Sequence, residues 1–121
     1  MAKILIVDDD LETIELLSNI VKLGGHEPHS VNESRHALKA VETVMPDLIL
    51  LDIMMAEITG IAICKLIKSD PNLSHIPVFM VSALSDEGTK RDAANAGANK
   101  FITKPILPRD FIQQINDTVN G

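Results

Sequence analysis

Along this chain, short apolar runs alternate with stretches in which apolar residues recur every three or four positions. Residues 3–8 (KILIVD) are a compact apolar run of the kind a fully buried strand needs. A helical pattern follows, with Leu11, Ile14, Leu17, Ile20 and Val21 on one face and Gly24-Gly25 as its stop. HEPHSVN (26–32) predicts a weaker, polar strand; Pro28 cannot donate to a central ladder, which places that strand at a sheet edge. Residues 33–45 predict a helix with Ala37, Leu38, Val41 and Met45 inward, ended by Pro46. DLILLD (47–52) is the most clearly buried strand, and a helix over Thr59–Lys68 ends at Asp70-Pro71. PVFMVS (77–82) and NKFIT (99–103) predict two further strands around a helix over 86–97 that has no large apolar side chain. Pro108 opens a last helix with Phe111, Ile112, Ile115 and Val119 on one face.

Five β-α units in succession, with continuous apolar strands, argue for one α/β domain. A doubly wound parallel sheet would then be covered by helices on both faces. The 121 residues suffice for one proper core, and no linker, repeat or low-complexity tract divides them. Composition narrows the function. A net charge of −6 makes a poor nucleic-acid binder, and without Trp or Tyr there is little to stack on bases. The apolar runs are too short to span a membrane, and the N-terminus has no signal-peptide pattern. A single cysteine, Cys64, excludes an internal disulfide and suits the cytoplasm. His26, His29, His36 and His75 are scattered without visible partners and are read as surface residues.

Ligands of open parallel α/β sheets bind outside the carboxyl ends of the strands. Strand 1 ends in Asp8-Asp9-Asp10, strand 3 in Asp52, strand 4 in Ser82 and strand 5 in Thr103-Lys104-Pro105. Each has a plain structural explanation. Asp9 or Asp10 could cap the first helix, Asp52 could be a turn residue, Ser82 a helix-entry hydroxyl and Lys104 a solvated lysine. Together they weigh differently, because carboxylates crowded at one edge repel unless cations compensate. Lys104 and Mg2+ would do so, Mg2+ being a hard ion that takes oxygen ligands and keeps several waters. A carboxylate in such a site can attack phosphorus and form an aspartyl phosphate.

At these residues the sequence resembles the response-regulator receiver domains, the CheY-like phosphoacceptors of two-component signalling. The resemblance rests on ILIVDDD (4–10), PDLILLDIMMAEITG (46–60), VFMVSAL (78–84) and AGANKFITKP (96–105). It spans 1–121 as one receiver domain with no output module in this chain. It implies the flavodoxin-like strand order 2-1-3-4-5, a property of CheY-like proteins. It implies that Asp52 is the phosphoacceptor, that Asp9 binds the metal directly and Asp8 through water, and that the Met54 backbone carbonyl adds an oxygen. Ser82 would bond the phosphoryl group, Lys104 would pair with it, the Lys104-Pro105 peptide bond would be the one that is often cis, and Phe101 would be the switch aromatic. Mg2+ is the implied cofactor, with Mn2+ as a substitute.

The implied partners are a histidine kinase or histidine phosphotransfer protein upstream and a protein on the helix 4–strand 5–helix 5 face downstream. Neither nucleic acid nor membrane is bound, and the chain is a monomer or weak dimer, a signalling phosphoprotein that catalyses only its own phosphorylation and dephosphorylation. Ala56 stands where the family usually has Pro, so a less rigid loop is expected after Asp52. Phe101 lacks the hydroxyl of the commoner Tyr, so its switch would rest on packing. Two alternatives stay open. A receiver-like binding module that is never phosphorylated usually loses acidic residues or the lysine, which this chain keeps. An aspartate-nucleophile phosphatase wants a second acid two residues after the nucleophile, where this chain has Met54.

Overall fold

The central strands form because their residues are apolar on both faces, and the helices form to cover those faces. The computed structural model describes residues 1–120; the expected end at Gly121 lies outside the described residues. The elements are β1 (Lys3–Val7), α1 (Leu11–Leu23), β2 (Glu27–Val31), α2 (Ala37–Val44), β3 (Leu48–Leu51), α3 (Gly60–Ser69), β4 (Val78–Ser82), α4 (Glu87–Asn95), β5 (Lys100–Thr103) and α5 (Pro108–Val119). The sheet is parallel throughout in the order β2-β1-β3-β4-β5, as the resemblance implied.

The burial pattern follows from that order. Every residue of β3 and β4 is buried, whereas the edge strands β2 and β5 have none that is fully buried. Side chains alternate across the sheet. Ile4, Ile6, Leu48, Leu50, Phe79 and Val81 face α1 and α5, where Leu17, Ile20, Phe111 and Ile115 meet them. Leu5, Val7, Ile49, Leu51, Val78 and Met80 face the opposite layer, built from α2, α3 and α4. Each fully buried aliphatic side chain contributes roughly 1.5–3 kcal/mol. Pro28 sits in β2 at the sheet edge, where its missing N–H costs no ladder bond.

Two sequence readings change and one is narrowed. The predicted helix over 33–45 is a 3-10 turn, Ser34–His36, followed by α2, and it closes on Met45 in the left-handed conformation (φ 48°) before Pro46. Of the two acids that could cap α1, Asp10 does so, accepting the N–H of Glu12 at 3.2 Å. His26 is buried rather than superficial. Its Nδ1 accepts the N–H of Ala2 at 3.1 Å and its Nε2 meets Asn116 Oδ1 at 2.5 Å, which fixes the Nε2–H tautomer from the bonding pattern. It thus ties the start of β1 to α5. His29 and His36 face Glu27 and Glu33 at the surface, at 2.7 and 3.5 Å, and His75 is exposed.

α3 begins so close to the end of β3 that its first residue must be glycine. A Cβ on Gly60 would lie 1.9 Å from the carbonyl oxygen of Asp52 and 2.9 Å from the Ile53 Cα. Gly60 donates its own N–H to the carbonyl of Ile53 at 3.0 Å, which pins the helix start to the strand end. Gly60→Ala is therefore expected to lower the free energy of unfolding by about 3 kcal/mol, the upper end for an overpacked site. Urea unfolding checks this, and an unchanged midpoint would mean that strand and helix part without cost.

Candidate functional site

The carboxyl edge of the sheet collects the charged residues that the strands themselves exclude. Asp8 directly follows β1, and its N–H still donates to Val31 of β2 at 3.2 Å. Asp52 directly follows β3, and its N–H continues the ladder to the carbonyl of Val7 at 2.9 Å. Lys104 directly follows β5 and donates its N–H to Ser82 of β4 at 2.9 Å. The Lys104–Pro105 bond is cis. The sheet's own hydrogen bonds therefore fix the backbone beneath the acids and the lysine.

The side chains converge from there. Asp8, Asp9 and Asp52 each place a carboxylate oxygen within 4.8 Å of the others. Lys104 Nζ lies 3.3 Å from Asp8 Oδ2 and 3.9 Å from Asp52 Oδ1. Asp8 Oδ1 accepts the N–H of Asp10 at 2.9 Å, and Asp9 Oδ2 accepts the N–H of Ala56 at 3.2 Å. Asp8 is 2% exposed and Asp52 7%, whereas Asp9 faces solvent. Burial, reinforced by the charge of Asp8, pushes Asp52 up to a pKa of about 6; Lys104 and the N–H groups of Ile53 and Met54 pull against that rise. Asp52 is still an ionised, nucleophilic carboxylate at neutral pH, held at some cost. One lysine among three carboxylates leaves the site short of positive charge. Its donors are all hard oxygens, and Asp9 opens it to solvent, so the residues fit a divalent cation such as Mg2+.

The other expected site residues lie around this cluster. Ser82 is buried at the end of β4, and its hydroxyl accepts the N–H of Leu84 at 3.2 Å. The Met54 side chain is 61% exposed and lines, with Leu84, Asp9 and Thr59, an apolar hollow of about 440 Å3. Phe101 stands on β5 opposite Met80, half-buried, with Lys90 Nζ 6.0 Å from its ring centre. It borders a groove of about 230 Å3 between β5 and α5. Two residues escaped the sequence reading. Gly60 had a signal, since the run ITG opens a helix. Ser34 had none, because its bonds go to a loop more than twenty residues away.

Comparison with known proteins is consistent over nearly the whole length. A family model described as response regulator receiver domain matches residues 4–116. The response regulator PleD of Caulobacter vibrioides is 36% identical over 105 residues, 87% of this chain and 23% of that protein. The alkaline phosphatase synthesis transcriptional regulatory protein PhoP of Bacillus subtilis is 34% identical over 108 residues, 89% of this chain and 44% of that protein. The chain thus spans under half the length of these curated relatives. Among solved structures, the signal receiver domain of a signal transduction histidine kinase from Syntrophus aciditrophicus superposes with a TM-score of 0.92 at 32% identity, covering 100% of this chain and 92% of that one.

Linkage fixes how Asp52 affects stability. Its carboxyl titrates at 3.8 when unfolded and at about 6 when folded, so between those values the folded state holds more protons and stability falls as pH rises. Above 6 the full penalty of the ionised form is present. Asp52→Asn is therefore expected to be more stable than wild type at pH 7.5, by on the order of 2 kcal/mol. The advantage should shrink below pH 6 and vanish under 3.8. Urea unfolding across this range measures it; a variant less stable than wild type at pH 7.5 would show that Lys104 outweighs burial.

Proposed function

The chain belongs to the response-regulator receiver-domain family, and from that premise we propose that Asp52 is its phosphoacceptor. Receiver domains serve two-component signalling, and this one is a signalling domain of that kind. The observation that carries the residue assignment is the placement of Asp52 beside Asp8, Asp9 and Lys104 at the carboxyl edge.

The donor is a phosphohistidine on a histidine kinase or phosphotransfer protein. An oxygen of Asp52 attacks the phosphorus, the P–N bond breaks, and its electron pair stays on the imidazole nitrogen. Mg2+, or Mn2+ in its place, held by Asp9, Asp52 and the Met54 carbonyl, with Asp8 reached through water, would supply positive charge to the transferring phosphoryl group. Lys104, already 3.9 Å from Asp52, has only to lean from Asp8 to pair with a phosphoryl oxygen. Ser82 exchanges its bond to Leu84 for one to the phosphoryl group.

That exchange supplies a route outward. Ser82 and Phe101 lie on adjacent strands, and Phe101 turns inward as Ser82 moves. α4 is suited to follow, since within the helix only Ala93 is buried and little apolar area holds it. The α4–β5–α5 face then changes shape for a downstream protein partner. No described helix is long and apolar enough to cross a membrane.

Incubation with acetyl phosphate and Mg2+ is expected to add one phosphoryl group by intact mass, and Asp52→Ala to abolish the gain. A wild-type protein that gains nothing would favour a binding module that is never phosphorylated. Beryllofluoride with Mg2+ is expected to shift backbone amides across residues 83–102. If the amide of Asp52 moves and those residues stay still, the proposed face is not the output.

A further inference from the structure

The loop between Asp52 and α3 contains a strained turn and an unusual tie. Glu57 adopts φ 72°, a left-handed conformation that a side-chain-bearing residue pays for with roughly 1 kcal/mol or more. Around it, the N–H of Ile58 donates back to the carbonyl of Ala56 at 3.0 Å, closing a three-residue turn. Such a turn persists only where its surroundings hold it.

What holds it is Ser34. This residue sits on the far side of the site, at the start of the 3-10 turn before α2, and is 5% exposed. A buried hydroxyl needs partners, and both partners of this one lie in the loop. Ser34 Oγ donates to the Ala56 carbonyl at 2.5 Å and accepts the N–H of Ile58 at 3.1 Å. One hydroxyl thus grips both ends of the turn. The gripped segment, residues 56–58, is the one whose Ala56 N–H meets Asp9 Oδ2 at 3.2 Å, and Met54 precedes it by two residues.

We propose that Ser34 is a positioning residue for metal binding: it clamps the 54–58 loop so that the Asp9 carboxylate and the Met54 carbonyl are held ready for the divalent cation. Ser34 touches neither cation nor substrate; it acts through the loop backbone. Because a free loop would have to be ordered when the cation arrives, the clamp moves that cost from binding to folding. This rests on the reading of Asp9, Asp52 and Met54 as the metal ligands.

The test is a Mg2+ titration of the 15N-labelled protein, following the amides of Asp9 and Asp52, for wild type, Ser34→Ala and Ser34→Cys. The cysteine keeps a weaker donor and acceptor on a larger atom, so it leaves no void where alanine would. Wild type is expected to bind. Ser34→Ala is expected to raise the Mg2+ dissociation constant about fivefold, as suits the loss of one such clamp, with the cysteine variant in between. The Ile58 and Ala56 amides should move in both metal-free variants while those of β4 and β5 stay in place. Dissociation constants within twofold of wild type, with the Ile58 amide displaced, would overturn the positioning role and leave the metal site standing. A folded wild type that binds no Mg2+ would overturn both.

Discussion

Everything at the carboxyl edge of this sheet depends on one electrostatic imbalance: three carboxylates share a single lysine. Asp8 and Asp52 are almost wholly buried, and Lys104 approaches both, nearer to Asp8. An ionised carboxylate beside another in a low-dielectric setting is held there only by the covalent and hydrogen-bonded frame around it. Here the frame is the parallel sheet. The N–H of Asp52 is fixed to Val7, that of Asp8 to Val31 and that of Lys104 to Ser82, so none of the three can retreat from the others by more than a side-chain rotation. The unfavourable energy stored in the cluster is what a bound cation would relieve, so the feature that costs stability at Asp52 is the one that suits the site to a cation.

The rest of the molecule divides according to how firmly it is tied to that frame. The two apolar layers are dense around β1, β3 and β4, and the helices that contribute large side chains, α1, α3 and α5, are held by them. α4 contributes little more than Ala93 within its length. Its N-terminus is secured instead by Asp86, whose carboxylate takes the N–H and the hydroxyl of Thr89. A helix fixed by its cap more than by its packing can shift as a body without emptying the core, and it stands next to the strand that carries Phe101.

Much of this was legible in the sequence, for identifiable reasons. β3 and β4 could be read because a strand buried on both faces is apolar at every position, and LILL and VFMVS have no other plausible place. Asp8 and Asp52 could be read because each terminates an apolar, buried run, and a charge at the end of a buried strand needs a partner; Lys104 could be read because it ends the last strand at the same edge of the sheet. His26 could not. Nothing local distinguishes it from His29, and its partner Asn116 lies 90 residues away on α5. Ser34 failed for the same reason, its bonds being to Ala56 and Ile58. The start of α2 was misjudged because helical periodicity does not separate a 3-10 turn from the helix it leads into.

Ala56 shows that a departure from a family pattern can have more than one structural consequence. Replacing a proline by alanine removes a fixed φ, and the expectation was a looser loop. Alanine also restores an N–H that proline lacks, and in the structure that N–H is used: it donates to Asp9, the solvent-facing acid of the cluster. The same residue's carbonyl is taken by Ser34. Where a proline ring would fix φ, this residue is tied instead by two hydrogen bonds, to Asp9 and to Ser34. The difference is consequential, because a ring constrains only the loop, whereas these bonds couple the loop to Asp9 and to the 3-10 turn before α2. Rigidity supplied by hydrogen bonds can be altered by whatever binds at their ends, so a cation held by Asp9 would be felt by the backbone that follows Asp52.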